Sequence, residues 1–289
     1  MKQLITFLAA AIICSAATAQ TDSTKTNSAD TIRIGGMIIV KNGKKTNDVN
    51  VTMGRKTPAK KRNANVSTNW WIFDFGLANY DDRTNYAAAG SYLVNRPGYP
   101  ALGTYDFKLR TEKSVNVNIW FFMQRLNLVK HFVNLKYGFG LELNNYRYKS
   151  TVSYKEGGHV PYTAATQTSA PFIFRDSISF SKNKLAADYF TVPMMLNFVT
   201  NPGSHRKGLG VSVGVSAGYL YSQRNKQVSP ERGKLINKGD YDLNRFKLSY
   251  VAELGIGPVR LYGSYSPKSF YDHSLDMRPY NFGFRFSNW

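Results

Sequence analysis

The chain has one cysteine, four histidines and little acid: 18 Asp and Glu against 38 Lys and Arg in 289 residues. One cysteine cannot close an internal disulfide. It is Cys14, inside the apolar leader described below, so the mature chain is expected to carry no thiolate chemistry. The shortage of acid leaves a formal charge of +20. A charge of that size and sign directs the protein toward acidic partners: nucleic acid, anionic lipid or an anionic polymer. Past the leader, no apolar run approaches the eighteen or more residues of a membrane helix. A membrane location therefore has to rest on strands. No phosphate-binding glycine loop, metal-ligand cluster or cofactor motif is present. No catalytic, cofactor-binding or metal residue is assigned, and no cofactor is expected.

What is present starts with MKQLITFLAAAIICSAATAQ. A lysine, an apolar stretch and Ala17-Thr18-Ala19 read as a secretory signal peptide over residues 1–19. Ile13 before Cys14 argues against a lipoprotein signal, which wants a small residue there. Export argues against nucleic acid as the acidic partner. Residues 20–68 are polar, and Lys and Arg far outnumber Asp there. This segment is too polar to build a core. It reads as a basic periplasmic arm, largely disordered, with one short hairpin where Ile32–Val40 precedes the turn dipeptide Asn42-Gly43.

From Asn69 onward the hydrophobic period is two. Residues 69–289 read as an all-β, antiparallel up-and-down transmembrane barrel of about eight strands, ten being the next even count. The candidates are Trp70–Asn79, Ser114–Gln124, Phe132–Asn145, Ala187–Phe198, Leu209–Tyr221, Phe246–Leu254, Val259–Ser266 and Tyr280–Ser287. Most approach ten residues, enough to cross a bilayer when tilted. Connections alternate long and short, as in outer-membrane barrels with long outer loops and tight periplasmic turns. An even strand count puts both chain ends on the short-turn side.

The alternation sorts two faces. Val133, Leu135, Tyr137, Phe139, Leu141 and Leu143 share one; Asn134, Lys136, Gly138, Gly140, Glu142 and Asn144 share the other. Val115, Val117, Ile119, Phe121 and Met123 are sorted outward in the second strand, which leaves Trp120 and Phe122 on the polar side. An eight-stranded barrel has just enough interior for side chains. Gly210, Ser212, Gly214, Ser216 and Gly218 would make room for larger inward groups. The inward charges are Asp74, Lys136, Glu142, Lys247, Glu253, Arg260 and Arg285. Buried charges require partners, so an internal salt-bridge network without an open channel is expected. Trp70, Trp71, Phe132, Phe198 and Trp289 read as a periplasmic aromatic girdle. Tyr80, Tyr146, Tyr189, Tyr219, Tyr221, Tyr265 and Tyr280 read as the outer one. Pro193 lies inside a strand and donates no ladder bond, which predicts a bulge there.

Val192-Pro193-Met194-Met195-Leu196 and the aromatic last strand Tyr280-Asn281-Phe282-Gly283-Phe284-Arg285-Phe286 resemble the small outer-membrane β-barrel proteins of Bacteroidota, often called PorT-like, within the wider porin family. The resemblance covers about Trp70 to Trp289, plus Asp30-Thr31-Ile32-Arg33-Ile34-Gly35 in the arm. It implies a place in the outer membrane and insertion by the barrel-assembly machinery. Three residues after Phe286 depart from that machinery's usual signal spacing. It implies no reaction.

The reading that follows is a non-enzymatic envelope-structural, adhesive or assembly-accessory protein, with a periplasmic or envelope protein as a further partner. Arg147, Lys149, Arg224, Lys226, Arg232 and Lys234 in the outer loops are candidate contacts to anionic lipid and lipopolysaccharide. Three alternatives stand beside it. A lipid-modifying enzyme would use Asp272-His273-Ser274, but neighbours in sequence point apart on a strand. A passive pore conflicts with a charge-filled interior. A soluble lipocalin-like barrel needs the two faces reversed.

Overall fold

The computed structural model describes residues 30–34, 37–41, 50–53, 65–163, 167–201, 208–256 and 259–287. The chain divides into two compact units, Met1–Asn63 and Ala64–Trp289. In the first, β1 (Asp30–Ile34), β2 (Met37–Lys41) and β3 (Asn50–Met53) form a three-stranded antiparallel sheet in chain order. Ile32 faces Ile39, and Ile39 faces Val51. The sequence reading allowed one hairpin here; a third short strand extends it. The Asn42-Gly43 turn lies outside the described residues.

In the second unit, eight antiparallel strands close on themselves. They are β4 (Val66–Asp82), β6 (Val115–Val129), β7 (Val133–Arg147), β10 (Lys182–Val199), β11 (Leu209–Ser229), β13 (Phe246–Ile256), β14 (Val259–Tyr265) and β15 (Met277–Phe286). Each pairs with its sequential neighbour, and β15 returns to β4, Arg285 facing Asp74. All eight candidate strands are present, several longer than the sequence pattern marks. The outward face carries Phe73, Phe75, Val192, Met194, Leu196, Leu248, Tyr250, Phe282 and Phe284, all exposed. A soluble fold buries such side chains at 1.5–3 kcal/mol each; a wall of them around a closed sheet is a lipid-facing surface.

Local irregularities re-phase the wall. Trp71 takes a φ of 56°, and the β6–β7 register shifts between Trp120 and Phe122. Both members of each dipeptide then turn outward. Trp70 meets Phe122 at 5.9 Å, and Trp71 meets Phe121 at 5.7 Å between ring centroids. This corrects the sorting of β6: Met123 is fully buried and Phe122 faces out. Further register shifts lie between Asn127 and Val129 in the β6–β7 pairing and between Asp188 and Tyr189 in the β10–β11 pairing, and none lies at Pro193. Pro193 keeps its register opposite Ser216 on β11, while Val192 and Pro193 have no ladder partner on β7. A ladder gap is enough to accommodate the missing N–H, so the strand need not bulge there.

The long-loop end is folded, which the alternation of strands does not reveal. β5 (Leu93–Val94), β8 (Val152–Lys155) and β9 (Phe172–Arg175) make a small sheet in the order β5-β9-β8. β12 (Gly233–Lys238) extends β11. Beneath them Tyr80, Phe107, Tyr146, Tyr148, Tyr154, Tyr189, Tyr241, Phe270 and Tyr271 pack into one apolar core. Tyr80, Tyr146 and Tyr189 therefore do not belong to the outer girdle. Their inward parity carries them under the loops, where ring contacts compensate for lost hydration. Tyr219 and Tyr221 are exposed, as are Trp70, Trp71, Phe132 and Phe198 at the other end. Trp289 lies outside the described residues.

Candidate functional site

Alternate residues of β4 beyond its Trp70-Trp71 irregularity and of β7, β13, β14 and β15 point into the lumen, and seven of these side chains are charged. Arg285 forms a two-pronged pair with Asp74, Nε to Oδ1 and Nη2 to Oδ2, both at 2.7 Å. Its third nitrogen, Nη1, reaches Glu253 Oε2 at 2.7 Å. Glu253 also accepts from Lys136 at 2.5 Å and from Arg260 at 3.3 Å. Asp74 accepts from the Trp120 indole at 2.7 Å and the Asn118 amide at 3.1 Å. Nearer the loops, Lys247 pairs with Glu142. Glu142 further accepts from Asn144 at 3.0 Å and Asn281 at 3.2 Å.

The two clusters are joined. Asn116 donates to Asn144 at 2.9 Å and to Asn118 at 3.1 Å. A continuous polar chain thus runs Lys247–Glu142–Asn144–Asn116–Asn118–Asp74–Arg285–Glu253–Lys136. Four cations face three acids, so each carboxylate is fully engaged, as burial demands. The asparagines that bridge the clusters carry no charge pattern, and only the closed barrel shows what they do.

Small residues set where the large ones fit. A Cβ on Gly140 would lie 2.9 Å from the Trp120 ring and 2.4 Å from the Ile119 carbonyl oxygen. One on Gly76 would lie 2.5 Å from the Tyr262 hydroxyl. Along β11 the room argument is confined to Gly214, whose Cβ would meet the Met194 carbonyl oxygen at 2.1 Å. At Gly210 and Gly218 an added methyl would make ordinary contacts of 3.4 Å or more. Between the clusters remains a cavity of about 30 Å³, bordered by Asn118, Glu142, Thr191, Tyr262 and Arg285. That holds water and little else.

The loop core closes the outer mouth. Tyr154 shares hydroxyl hydrogen bonds with Tyr148 at 2.6 Å and Tyr271 at 2.8 Å. Tyr92 donates to the Tyr241 carbonyl and Tyr241 to the Asn237 carbonyl, each at 2.8 Å. Burial pushes the Tyr148 hydroxyl up to about 12, against hydrogen bonds that pull it back. These phenols stay neutral and serve as connectors.

The six loop cations divide. Arg224 pairs with Asp188 at 2.7 Å and Arg232 with Asp176 at 2.9 Å, so both are neutralised by partners distant in sequence. Arg147 donates to the Ser181 carbonyl at 2.8 Å. Lys149, Lys226 and Lys234 form no ion pair among the described residues. The main partner of His273 lies outside Asp272-His273-Ser274. The His273 Nδ1 lies 2.8 Å from Asp242 Oδ1, on another loop, and 3.9 Å from Asp272. The hydrogen bond to Asp242, then the charge of both aspartates, raises its pKa. Asp242, Asp272 and His273 bring ligand-type atoms within 4.8 Å of one another. Asp242 is remote in the chain, so no local motif signals this grouping. The His273 ring is largely exposed, and no serine hydroxyl engages it among the described residues.

No curated protein matches the chain. Among solved structures it is similar to Ail, the attachment invasion locus protein of Yersinia pestis, determined with the heparin analogue sucrose octasulfate. Identity is 12%, with 76% of this chain and 98% of that one covered, at a TM-score of 0.29. The family model for the outer membrane protein beta-barrel domain matches residues 84–273. With its closed eight-stranded wall and apolar exterior, the chain belongs to the outer membrane protein beta-barrel domain family and resides in the outer membrane.

Proposed function

We propose that the protein is a sealed, non-enzymatic barrel that anchors a folded outer dome, acting as an envelope-structural, adhesive or assembly-accessory component. The observation that carries this is the filled lumen. An ion-paired chain crosses the membrane segment, an aromatic core covers the outer mouth, and the internal cavity has about 30 Å³. The finer family reading, a PorT-like barrel of Bacteroidota within the porin family, rests on the residues given above. So do a cleaved signal peptide at residues 1–19, an arm at 20–68 facing the periplasm, and insertion by the barrel-assembly machinery. A filled lumen transmits no solute, so the working surfaces are the dome and the arm. The test is single-channel recording of purified protein in planar bilayers, beside cross-linking of tagged protein in native membranes. A silent bilayer with a near-stoichiometric envelope partner supports the proposal. Steady openings at low voltage would sink it.

A further inference from the structure

Beyond the bilayer, β7, β10, β11 and β12 continue as one sheet whose inner side, with Asn183, Leu185, Asn225 and Gln227, is buried and whose outer side faces solvent. The register sets its outward side chains in rows. Arg147 faces Lys184, and Lys184 faces Lys226. Lys182 stands two residues further along β10, with Lys234 and Lys238 on β12. Like charges directly opposite on neighbouring strands destabilise a sheet. Here three stand in one row with strand spacings of about 4.8 Å. Among the described residues, no ion pair joins Lys182, Lys184, Lys226 or Lys234 to an acid. Asp188, an acid whose charge acts on Lys184, is held by Arg224 at 2.7 Å. Arg147 Nε is buried without a hydrogen-bond acceptor. Burial and then the cations Lys182, Lys226 and Arg224 press the Lys184 pKa down to about 8. For Lys226, Lys234 is the main cause of a lowered pKa.

We propose that the Arg147–Lys184–Lys226 row, flanked by Lys182 and Lys234, is a binding site for the phosphorylated sugar head of an outer-leaflet glycolipid.

Height selects this occupant. Phe190 is the last large apolar side chain facing out on β10. Lys184 lies six residues above it, about 20 Å along the strand. At a tilt near 45° that is about 14 Å along the membrane normal. The headgroup zone of a bilayer adds only about 5–8 Å per leaflet beyond the hydrocarbon. A phospholipid phosphate therefore sits below the row. A phosphate carried on sugars rises to it, and its oxygens relieve the repulsion by accepting from two strands at once. Of the six cations singled out in the sequence, Arg224 and Arg232 drop from this site because Asp188 and Asp176 neutralise them. Lys182 and Lys184 enter because register sets them beside Lys226.

The experiment uses full-length folded protein and labelled lipopolysaccharide, with heat-dependent gel mobility checking each variant's fold. Lys184→Gln with Lys226→Gln should weaken binding by about tenfold or more, two charged contacts being lost. Lys184→Arg with Lys226→Arg should keep it. Lys130→Gln, at the short-turn end, should leave it unchanged. Lys226→Gln alone gives a smaller loss in the same direction and serves if the double variant inserts poorly. Dephosphorylated lipopolysaccharide should bind wild type as weakly as intact lipopolysaccharide binds the glutamine pair. Equal binding by wild type and the glutamine pair overturns the proposal. So does equally tight binding to phosphatidylglycerol vesicles, full competition by millimolar inorganic phosphate, or tighter binding to a sulfated glycan.

Discussion

Replacing Glu253 by glutamine puts the sealed-lumen argument under the most pressure. Glu253 accepts from Lys136, Arg285 and Arg260. In Glu253→Gln, Arg285 keeps its two-pronged pair with Asp74, and Arg260 is the most exposed of the three. Lys136 loses its ion pair with Glu253 while its side chain, like that of Glu253, is 2% exposed. Removing one member of a buried pair costs about 3–5 kcal/mol, because the remaining charge stays desolvated. The water-sized cavity nearby and the surviving Asp74 pair point to the lower end. Lys136→Met in the same chain removes the desolvated charge itself. The double variant should regain about 2–3 kcal/mol of coupling. The exposed pair Arg83–Asp81 is the reference, with side chains 53% and 44% exposed. Arg83→Ala should cost about 0–1 kcal/mol. Stability is measured by urea unfolding in lipid vesicles, read by tryptophan fluorescence and by gel mobility. If Glu253→Gln costs no more than Arg83→Ala, or the double variant shows no coupling, the lumen is hydrated and the account of a sealed interior fails.

Three other outcomes are expected. Gly214→Ala should destabilise by about 1–3 kcal/mol through overpacking against the Met194 carbonyl, while Gly210→Ala, with nothing closer than 3.8 Å, should be near neutral in the same assay. Tyr154→Phe removes the hydroxyl that bonds both Tyr148 and Tyr271 and should cost the dome about 0.5–1.5 kcal/mol; limited proteolysis should cut the loops while heat-dependent mobility of the barrel persists. His273 should titrate above the ordinary imidazole value, and Asp242→Asn should bring it back down, as followed by NMR. Because the folded value is raised, the loop tie is complete below the ordinary imidazole value. It weakens as pH rises through the raised one.

Period-two alternation makes the barrel legible in the chain. A strand has no choice about which residues share a face, so Lys136, Glu142, Lys247, Glu253 and their neighbours fall on one side without knowledge of any contact. Strand lengths and alternating connections follow in the same way. The re-phasing at Trp71, Phe121 and Tyr221 is not legible, because a bulge arises from pairing between two strands, and neither sequence alone encodes the extra residue. That is why alternation alone turns Met123 outward, and why the proline at Pro193 does not locate the shift found at Tyr221.

The chain by itself determined the faces, the strand count and the excess of positive charge. Tertiary structure decided the partners. Asp188 meets Arg224, Asp176 meets Arg232, and His273 meets Asp242 only because closure and register bring remote loops together. The dome belongs to that second category as well. Its tyrosines carry the composition of a girdle, yet they sit beneath loops whose packing no local period describes. Faces follow from the geometry of one strand, whereas pairs require the relative placement of two, and in a barrel that placement exists only once the sheet has closed.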